Sequence, residues 1–191
     1  MNTQTIKLTQ IRIDGGTQPR VEIDQEAVAD YAERMRDGVE FPPVTMFFDG
    51  AAYWLADGFH RYHAHRQIGR DSMNSEVHDG GLREAILYSV GANSDHGLRR
   101  TNEDKRKAVE TMLTNEIVSK DENGDPWNNC EIARRCNVNE STVRNYRKIH
   151  TSEKPKYEAD QRIFVHPKTG KPTLMNTTNI GKSTLKRRKQ Y

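Results

Sequence analysis

The first half of the chain alternates between strand-like and helix-like spacing of its apolar residues. Apolar residues recur at short intervals from Ile6 to Ile13, which predicts one strand there. From Asp24 to Arg36 they recur at i, i+3, i+4 and i+7, which is helical spacing. Asp24 is a good N-cap for this helix, and Gly38 is a suitable residue to end it.

The rest of this half continues the alternation. The sequence predicts a hairpin of Val44–Phe48 and Ala51–Ala56 around Asp49-Gly50, a helix from Asp57 to about Ile68, a strand around Ser75–His78 and a helix over Gly81–Asn93. Strands that alternate with helices indicate a small mixed α/β domain, which we place at residues 1–97.

The second half is predicted to be mostly helical. Thr101 and Asp104 have the spacing of a capping box, so a helix is expected from Asn102 to about Ile117. Two short helices should complete an all-α domain over residues 98–150. A β-hairpin over Arg162–Asn176 and a basic tail are expected in the remaining residues, 151–191. The predicted fold class is therefore α+β.

Charge is distributed unequally between the two halves. Residues 1–97 contain 9 Lys and Arg against 15 Asp and Glu, whereas residues 98–191 contain 21 against 12. The basic half is the one expected to meet phosphates, although a solvated charged surface would show the same asymmetry. No apolar run is long enough to span a bilayer, no secretory signal is visible, and two cysteines are too few for a disulfide framework. We therefore expect a cytoplasmic protein without a membrane partner.

A helix-turn-helix is predicted between Trp127 and Lys148. Asn129–Cys136 should form the first helix, and the second should open at Asn139 or Ser141 and run to about Ile149. Ala133 provides the small side chain needed where two helices cross closely, and Asn137 tolerates the left-handed backbone of the turn.

The second of these helices carries the candidate DNA contacts, near its start for base edges and towards its end for phosphates. The candidates on this helix are Asn139, Ser141, Thr142, Arg144, Asn145, Arg147 and Lys148, and those in the tail are Lys186, Arg187 and Arg188. The alternative is a structural three-helix bundle with a polar outer face.

A motif in the first half resembles the ParB N-terminal domain, whose fold is shared with sulfiredoxin. The motif is glycine-x-(His or Arg)-Arg-x-x-Ala, met here by Gly58, His60, Arg61 and Ala64. Gln18-Pro19-Arg20, after the first predicted strand, supports the resemblance. Together with the predicted helix-turn-helix, the resemblance covers roughly residues 6 to 150.

The resemblance implies binding of a nucleoside triphosphate, which is CTP with Mg²⁺ in ParB proteins. The implied nucleotide-binding residues are Gln18, Arg20, Gly58, His60, Arg61 and Asn93. Glycine at a helix N-terminus lets a phosphate approach the backbone amides, and Arg61 adds a bidentate positive charge. The alternative is that Gly58 merely begins a helix and Arg61 pairs with a carboxylate.

Departures from the family pattern bear on enzymatic activity. The glutamate of the second family motif is replaced by Ala92, so a weak CTPase activity is an open question. Sulfiredoxin activity is rejected, because Phe59 stands where that activity needs a cysteine. No catalytic residue is assigned, and the histidines around His60 do not form a metal site at helical spacing.

The sequence, together with the resemblance, thus predicts a ParB-like DNA-binding protein associated with nucleoid or plasmid DNA. It is expected to be a homodimer that regulates transcription or partition for a plasmid, phage or mobile element. Pairing of such proteins on two half-sites is the reason for expecting a dimer. Two other classes stay open: a ParB-fold enzyme, either a nucleotide hydrolase or a small-molecule kinase, and an adaptor that binds a protein partner through its acidic half.

Overall fold

The computed structural model describes residues 3–92, 98–151, 161–165 and 172–176, and the side chains of residues 3–92 and 98–150. The strands are β1 (Thr3–Lys7), β2 (Ile11–Arg12), β3 (Val44–Phe48), β4 (Tyr53–Asp57), β5 (Ser72–Asp79), β6 (Gln161–Val165) and β7 (Pro172–Asn176). The helices are α1 (Gln25–Arg36), α2 (Phe59–Gln67), α3 (Leu82–Ser89), α4 (Asn102–Thr114), α5 (Asn129–Cys136) and α6 (Glu140–Thr151).

The first five strands form one mixed sheet in the order β1-β5-β3-β4-β2. The β1/β5 and β3/β4 pairs are antiparallel, and the β3/β5 and β2/β4 pairs are parallel. In a flat sheet, the four inter-strand spacings between the edge strands β1 and β2 would place them about 19 Å apart. Only a short 3-10 turn, Leu8–Gln10, joins β1 to β2, and the step from Lys7 to Ile11 spans at most about 14 Å. The sheet therefore curls.

This curl explains why the prediction of one strand over Ile6 to Ile13 is wrong. The backbone turns at Leu8, whose N–H donates to the Asp71 carbonyl oxygen, and the chain then pairs with the opposite edge of the sheet. Ile6, Leu8 and Ile11 are all buried nevertheless, so their spacing looks like that of a single strand.

The predicted helices and the hairpin of the first half are present, with shifted ends. The Asp24 carboxylate accepts from the N–H groups of Glu26 and Ala27 and so begins α1 as predicted. The strand around Ser75–His78 is longer than predicted, and the helix expected over Gly81–Asn93 ends at Ser89.

The capping box of α4 is confirmed, but this helix stops at Thr114, short of Ile117. The Asn115 side chain accepts from the Ile117 N–H, a local bond that competes with a further helical turn.

Helix α3 contacts both the sheet and the later helices. It packs on β3 and β4, while Ile86 and Val90 share a buried core with residues of α4, α5 and α6. The Arg83 guanidinium also donates to the carbonyl oxygens of Ile117 and Lys120. Helix α3 thus fixes the later helices against the sheet.

The chain divides into two compact units, Met1–His150 and Thr151–Tyr191. In the second unit β6 pairs antiparallel with β7, and Ile163 lies opposite Leu174. These are the strands of the predicted hairpin. Its connection, residues 166–171, and the basic tail lie outside the described residues.

Candidate ligand cleft and nucleic-acid interface

A cleft of about 640 Å³ lies where β4 leads into α2, a size typical of small-molecule sites. Five of the residues predicted to bind a nucleotide meet here: Gln18, Arg20, Gly58, His60 and Arg61 all line it. Glu76, Tyr88 and Pro42 also line it and were not predicted from the sequence. The sixth candidate, Asn93, lies outside the described residues.

Gly58 is the N-cap of α2 and has a left-handed backbone with φ of 96°. A Cβ atom there would lie 2.4 Å from Cγ1 of the buried Val44, so the position has no room for a side chain. The first N–H groups of a helix have no intrahelical acceptor, so α2 directs donors towards the space beside Gly58. This end of the cleft is suited to an anionic ligand.

Arg61 is held at the mouth of the cleft by oxygen atoms on three residues. Its Nη1 donates to the carbonyl oxygens of Pro42 and Pro43 at 2.6 and 2.9 Å, and its Nη2 contacts the Asp57 carboxylate at 3.0 Å. A guanidinium has five N–H donors, so a phosphate at this position could share Nη2 with Asp57 or replace it. Anion binding and carboxylate pairing by Arg61 are therefore compatible.

Arg20 connects the cleft to α4. Its side chain is 10% exposed, and Nη1 lies 3.4 Å from the Asp104 carboxylate and 3.4 Å from the Arg99 carbonyl oxygen. Nη2 donates to the Leu98 carbonyl oxygen. Asp104 also accepts from the N–H groups of Val21 and Thr101.

Burial alone would raise the pKa of Asp104. The hydrogen bonds from Thr101 and Val21, together with the charge of Arg20, outweigh that effect, so the pKa lies below its ordinary value.

Gln18 has one amide atom paired and one unpaired. Its Oε1 accepts from the Arg20 N–H at 3.1 Å. Its Nε2 is buried and has no hydrogen-bond partner among the described residues. A buried donor without an acceptor costs free energy, so a ligand oxygen at this point of the cleft would be stabilising.

His60 joins α2 to the start of α1. Its Nε2 accepts from the Asp24 N–H at 3.2 Å, which requires that nitrogen to be unprotonated. Burial, and secondarily the charge of Arg20, lower the pKa of His60, so the imidazole is neutral near pH 7. Within the described residues, no three His, Cys, Asp or Glu side chains lie close enough together to hold a metal ion.

The helix pair α5–α6 has the turn that the sequence predicts. Asn137 adopts φ of 51°, and the Val138 N–H donates to the Ala133 carbonyl oxygen at 3.0 Å. Ala133 and Val143 are buried where the two helices pack together. The positions of both helices and the left-handed turn are thus as predicted.

The outer face of α6 is polar and exposed. Of the predicted DNA contacts, those that are exposed are Asn139, Ser141, Arg144, Asn145 and Lys148, and Thr142 is half-buried. The Arg144 side chain is 56% exposed and lies 3.5 Å from Glu140 one turn before it. The tail candidates Lys186, Arg187 and Arg188 lie outside the described residues.

Arg147 lies on the inner side of this helix pair. Its Nε donates to the Asn129 side chain at 2.7 Å, and its Nη2 donates to the Trp127 carbonyl oxygen at 2.5 Å. The Arg135 guanidinium lies over the Trp127 ring, 4.5 Å from its centroid. In this arrangement Arg147 stabilises the start of α5, and a DNA contact by it stays a prediction.

No helix in the described ranges has the length and apolar character required to cross a bilayer. No protein-family model matches the sequence, and no curated protein matches it.

Similarity to solved structures is found at low sequence identity. A Pnob8-like ParB-N domain is 13% identical, with a TM-score of 0.53 over 80% of this chain and 70% of that one. Two structures of ParB from Caulobacter crescentus, one with parS DNA and one with CTP-gamma-S, are 13% and 14% identical. Their TM-scores are 0.47 and 0.45, and the matches cover 80% of this chain and 73% and 81% of theirs. Sulfiredoxin from Arabidopsis thaliana is 22% identical, with a TM-score of 0.40 over 45% of this chain and 98% of that one. The chain therefore has a fold similar to that of ParB N-domains.

Proposed function

We propose that this protein binds double-stranded DNA through α6 and acts as a ParB-like regulator of transcription or partition on a plasmid, phage or mobile element. The observation that carries the proposal is the exposed polar face of α6, fixed to α5 by the left-handed turn at Asn137. A helix held in this way fits the major groove, where its first turns meet base edges. Two copies on a two-fold symmetric site would form the functional dimer.

Arg144 is the side chain in this proposal with the greatest effect on sequence recognition. Arginine pairs bidentately with guanine, and such a pair contributes about 1–3 kcal/mol of discrimination. We therefore expect Arg144→Ala to weaken binding to a selected site by roughly 5- to 150-fold. The measurement is selection of sites from a random duplex library, followed by fluorescence anisotropy with wild type and variant.

The control is Arg36→Ala, which removes the same charge from an exposed position on α1. It should leave affinity for the selected site within about twofold, because isolated surface charges at a distance contribute little in salt. A wild-type protein that enriches no site, or an Arg144 variant that binds its site like wild type, would reject the assignment of α6 as the recognition helix.

We further propose that the cleft binds a nucleoside triphosphate, with CTP as the first candidate from the motif resemblance. The N-terminus of α2 and the unpaired Gln18 Nε2 would contact phosphate oxygens, and Arg61 would donate to the ligand beside or in place of Asp57. Magnesium, where bound, neutralises phosphate charge.

A ligand in the cleft would affect the position of α4 through Arg20, because Arg20 lines the cleft and pairs with Asp104, the third residue of α4. The Lys107 ammonium also donates to the Arg20 carbonyl oxygen at 2.7 Å. A ligand that draws the Arg20 side chain would weaken its contact with Asp104. The proposed outcome is a change in the way the dimer holds DNA.

Nucleotide binding is tested by calorimetric titration of CTP with magnesium into wild type, Arg61→Gln and Asp57→Asn. A hydrogen bond to a charged group contributes about 1.5–3 kcal/mol, so Arg61→Gln should weaken CTP binding roughly 10- to 150-fold. Asp57→Asn removes a negative charge that lines the cleft beside Arg61, so it should tighten the binding of an anionic ligand.

Thermal unfolding of all three proteins without nucleotide is the control for folding. Absence of CTP binding by wild type would reject this ligand. Equal affinity in all three proteins would leave Arg61 as a purely structural residue, paired with its carboxylate.

A further inference from the structure

A second polar surface lies beside α6, on α4. A groove of about 480 Å³ runs between the first turns of the two helices. Six polar side chains line it: Asn102, Lys105, Arg106, Asn137, Asn139 and Thr142. Among the described residues that line this groove, which we call the α4–α6 groove, none is acidic.

The helical spacing of these residues places them on facing sides of α4 and α6. Asn102, Lys105 and Arg106 stand at i, i+3 and i+4, on one side of α4. Arg106 lies over the Tyr146 ring with 5.4 Å to its centroid, and its Nε donates to the Tyr146 hydroxyl. Tyr146 thus keeps the Arg106 guanidinium at the edge of α6.

Position and charge together point to one kind of partner. When α6 lies in a major groove about 12 Å wide, side chains on the helix beside it come next to the sugar-phosphate backbone that borders the groove. Two cations and several amide or hydroxyl donors match phosphate oxygens, which only accept hydrogen bonds. Glu103, Asp104 and Glu110 also lie on α4, but none of them lines the α4–α6 groove.

We infer that the α4–α6 groove binds the DNA phosphate backbone, with Lys105 and Arg106 as its two phosphate contacts. This inference rests on the proposed DNA binding by α6 and extends the DNA interface to a helix outside the helix pair. The phosphate contacts fix the orientation of the protein on the duplex, whereas α6 reads the sequence.

The inference is tested with the variant Lys105→Gln/Arg106→Gln and two duplexes, the selected site and one of scrambled sequence. Each phosphate contact contributes about 0.9 to the slope of log K against log salt concentration, so the slope should fall by roughly 2 on both duplexes. Affinity should fall by the same factor on both, and the ratio between them should stay unchanged. Arg144→Ala should instead lower that ratio.

Two control variants separate charge from packing. Lys7→Gln/Arg36→Gln removes the same charge from exposed positions on β1 and α1 and should leave the slope unchanged. Tyr146→Phe removes the hydroxyl that receives the Arg106 bond but keeps the cation. Because both cations remain, the slope for Tyr146→Phe should stay near the wild-type value; a fall of the slope by roughly 2 in this variant means that Arg106 acts through packing of α6 and overturns the inference.

The remaining outcomes are distinct. A wild-type slope in the Lys105/Arg106 variant, with DNA binding intact, overturns the phosphate surface and leaves the assignment of α6 in place. Absence of DNA binding by the wild-type protein rejects the proposed function, and the phosphate surface with it.

Discussion

Replacing Asp104 by alanine is expected to lower the free energy of unfolding by about 3–5 kcal/mol, the cost of breaking a buried ion pair from one side. The side chains of Asp104 and Arg20 are 5% and 10% exposed, so the guanidinium left behind could not recover full hydration. The substitution also removes the acceptor for the backbone N–H groups of Val21 and Thr101. Urea denaturation at pH 7 measures the effect.

Two related variants separate the contribution of the helix cap from that of the ion pair to this loss of unfolding free energy. Thr101→Ala removes the side-chain cap of α4 and should cost about 1 kcal/mol. Asp104→Asn keeps one acceptor oxygen but loses the charge, so its loss should lie between the other two. A loss for Asp104→Ala no larger than for Thr101→Ala would show that the pair with Arg20 contributes nothing to stability.

The same pair has a defined pH dependence. Because the pKa of Asp104 lies below its ordinary value, the folded protein binds this proton less readily than the unfolded chain. The stabilisation is therefore complete above the unfolded pKa of about 3.9 and is lost as the pH falls through the folded pKa. In Asp104→Asn this contribution to acid unfolding should disappear.

Gly58→Ala is expected to cause the second large loss, because it combines backbone strain with a steric overlap. Left-handed backbone costs a residue with a side chain about 1–2 kcal/mol. The new Cβ would also lie 2.4 Å from Val44 Cγ1, and Val44 is fully buried. Overpacking of a core adds about 1–3 kcal/mol, so a total loss of roughly 2–5 kcal/mol is expected.

Gly50→Ala is the matched control for strain alone. Gly50 has φ of 95°, against 96° for Gly58, and a Cβ there would meet nothing within 4 Å. The double variant Val44→Ala/Gly58→Ala should recover part of the steric cost, measured as the coupling in a double-mutant cycle. Equal losses of unfolding free energy for Gly50→Ala and Gly58→Ala would show that Val44 moves aside without a measurable energetic cost. The close approach at Gly58 would then be unimportant for stability.

Local features of this protein were predictable from the sequence. The Asp24 cap, the Asp49-Gly50 hairpin, the Thr101–Asp104 capping box and the turn at Asn137 all formed where expected. Each depends on residues within about four positions of one another, so the chain needs no distant partner to favour it.

Part of the cleft was also predictable, because Gly58, His60 and Arg61 are neighbours at the start of one helix. The motif could not show what these side chains contact. His60 accepts from the Asp24 N–H, 36 residues away, and Arg61 contacts carbonyl oxygens 18 and 19 residues away.

The sequence by itself determined the helices, their caps and the tight turns, although not every helix end, because spacing and caps act over a few residues. Tertiary structure alone decided which distant groups meet. It split the first apolar segment between the two edges of a curled sheet, and it paired Arg20 with Asp104 across 84 residues. It also turned Arg147 towards Trp127 and brought α4 beside α6. The physical reason is that a long polar side chain bonds to groups on the element that packs against it. Which elements pack together depends on how the whole chain buries its apolar surface, and that is not a local property of the sequence.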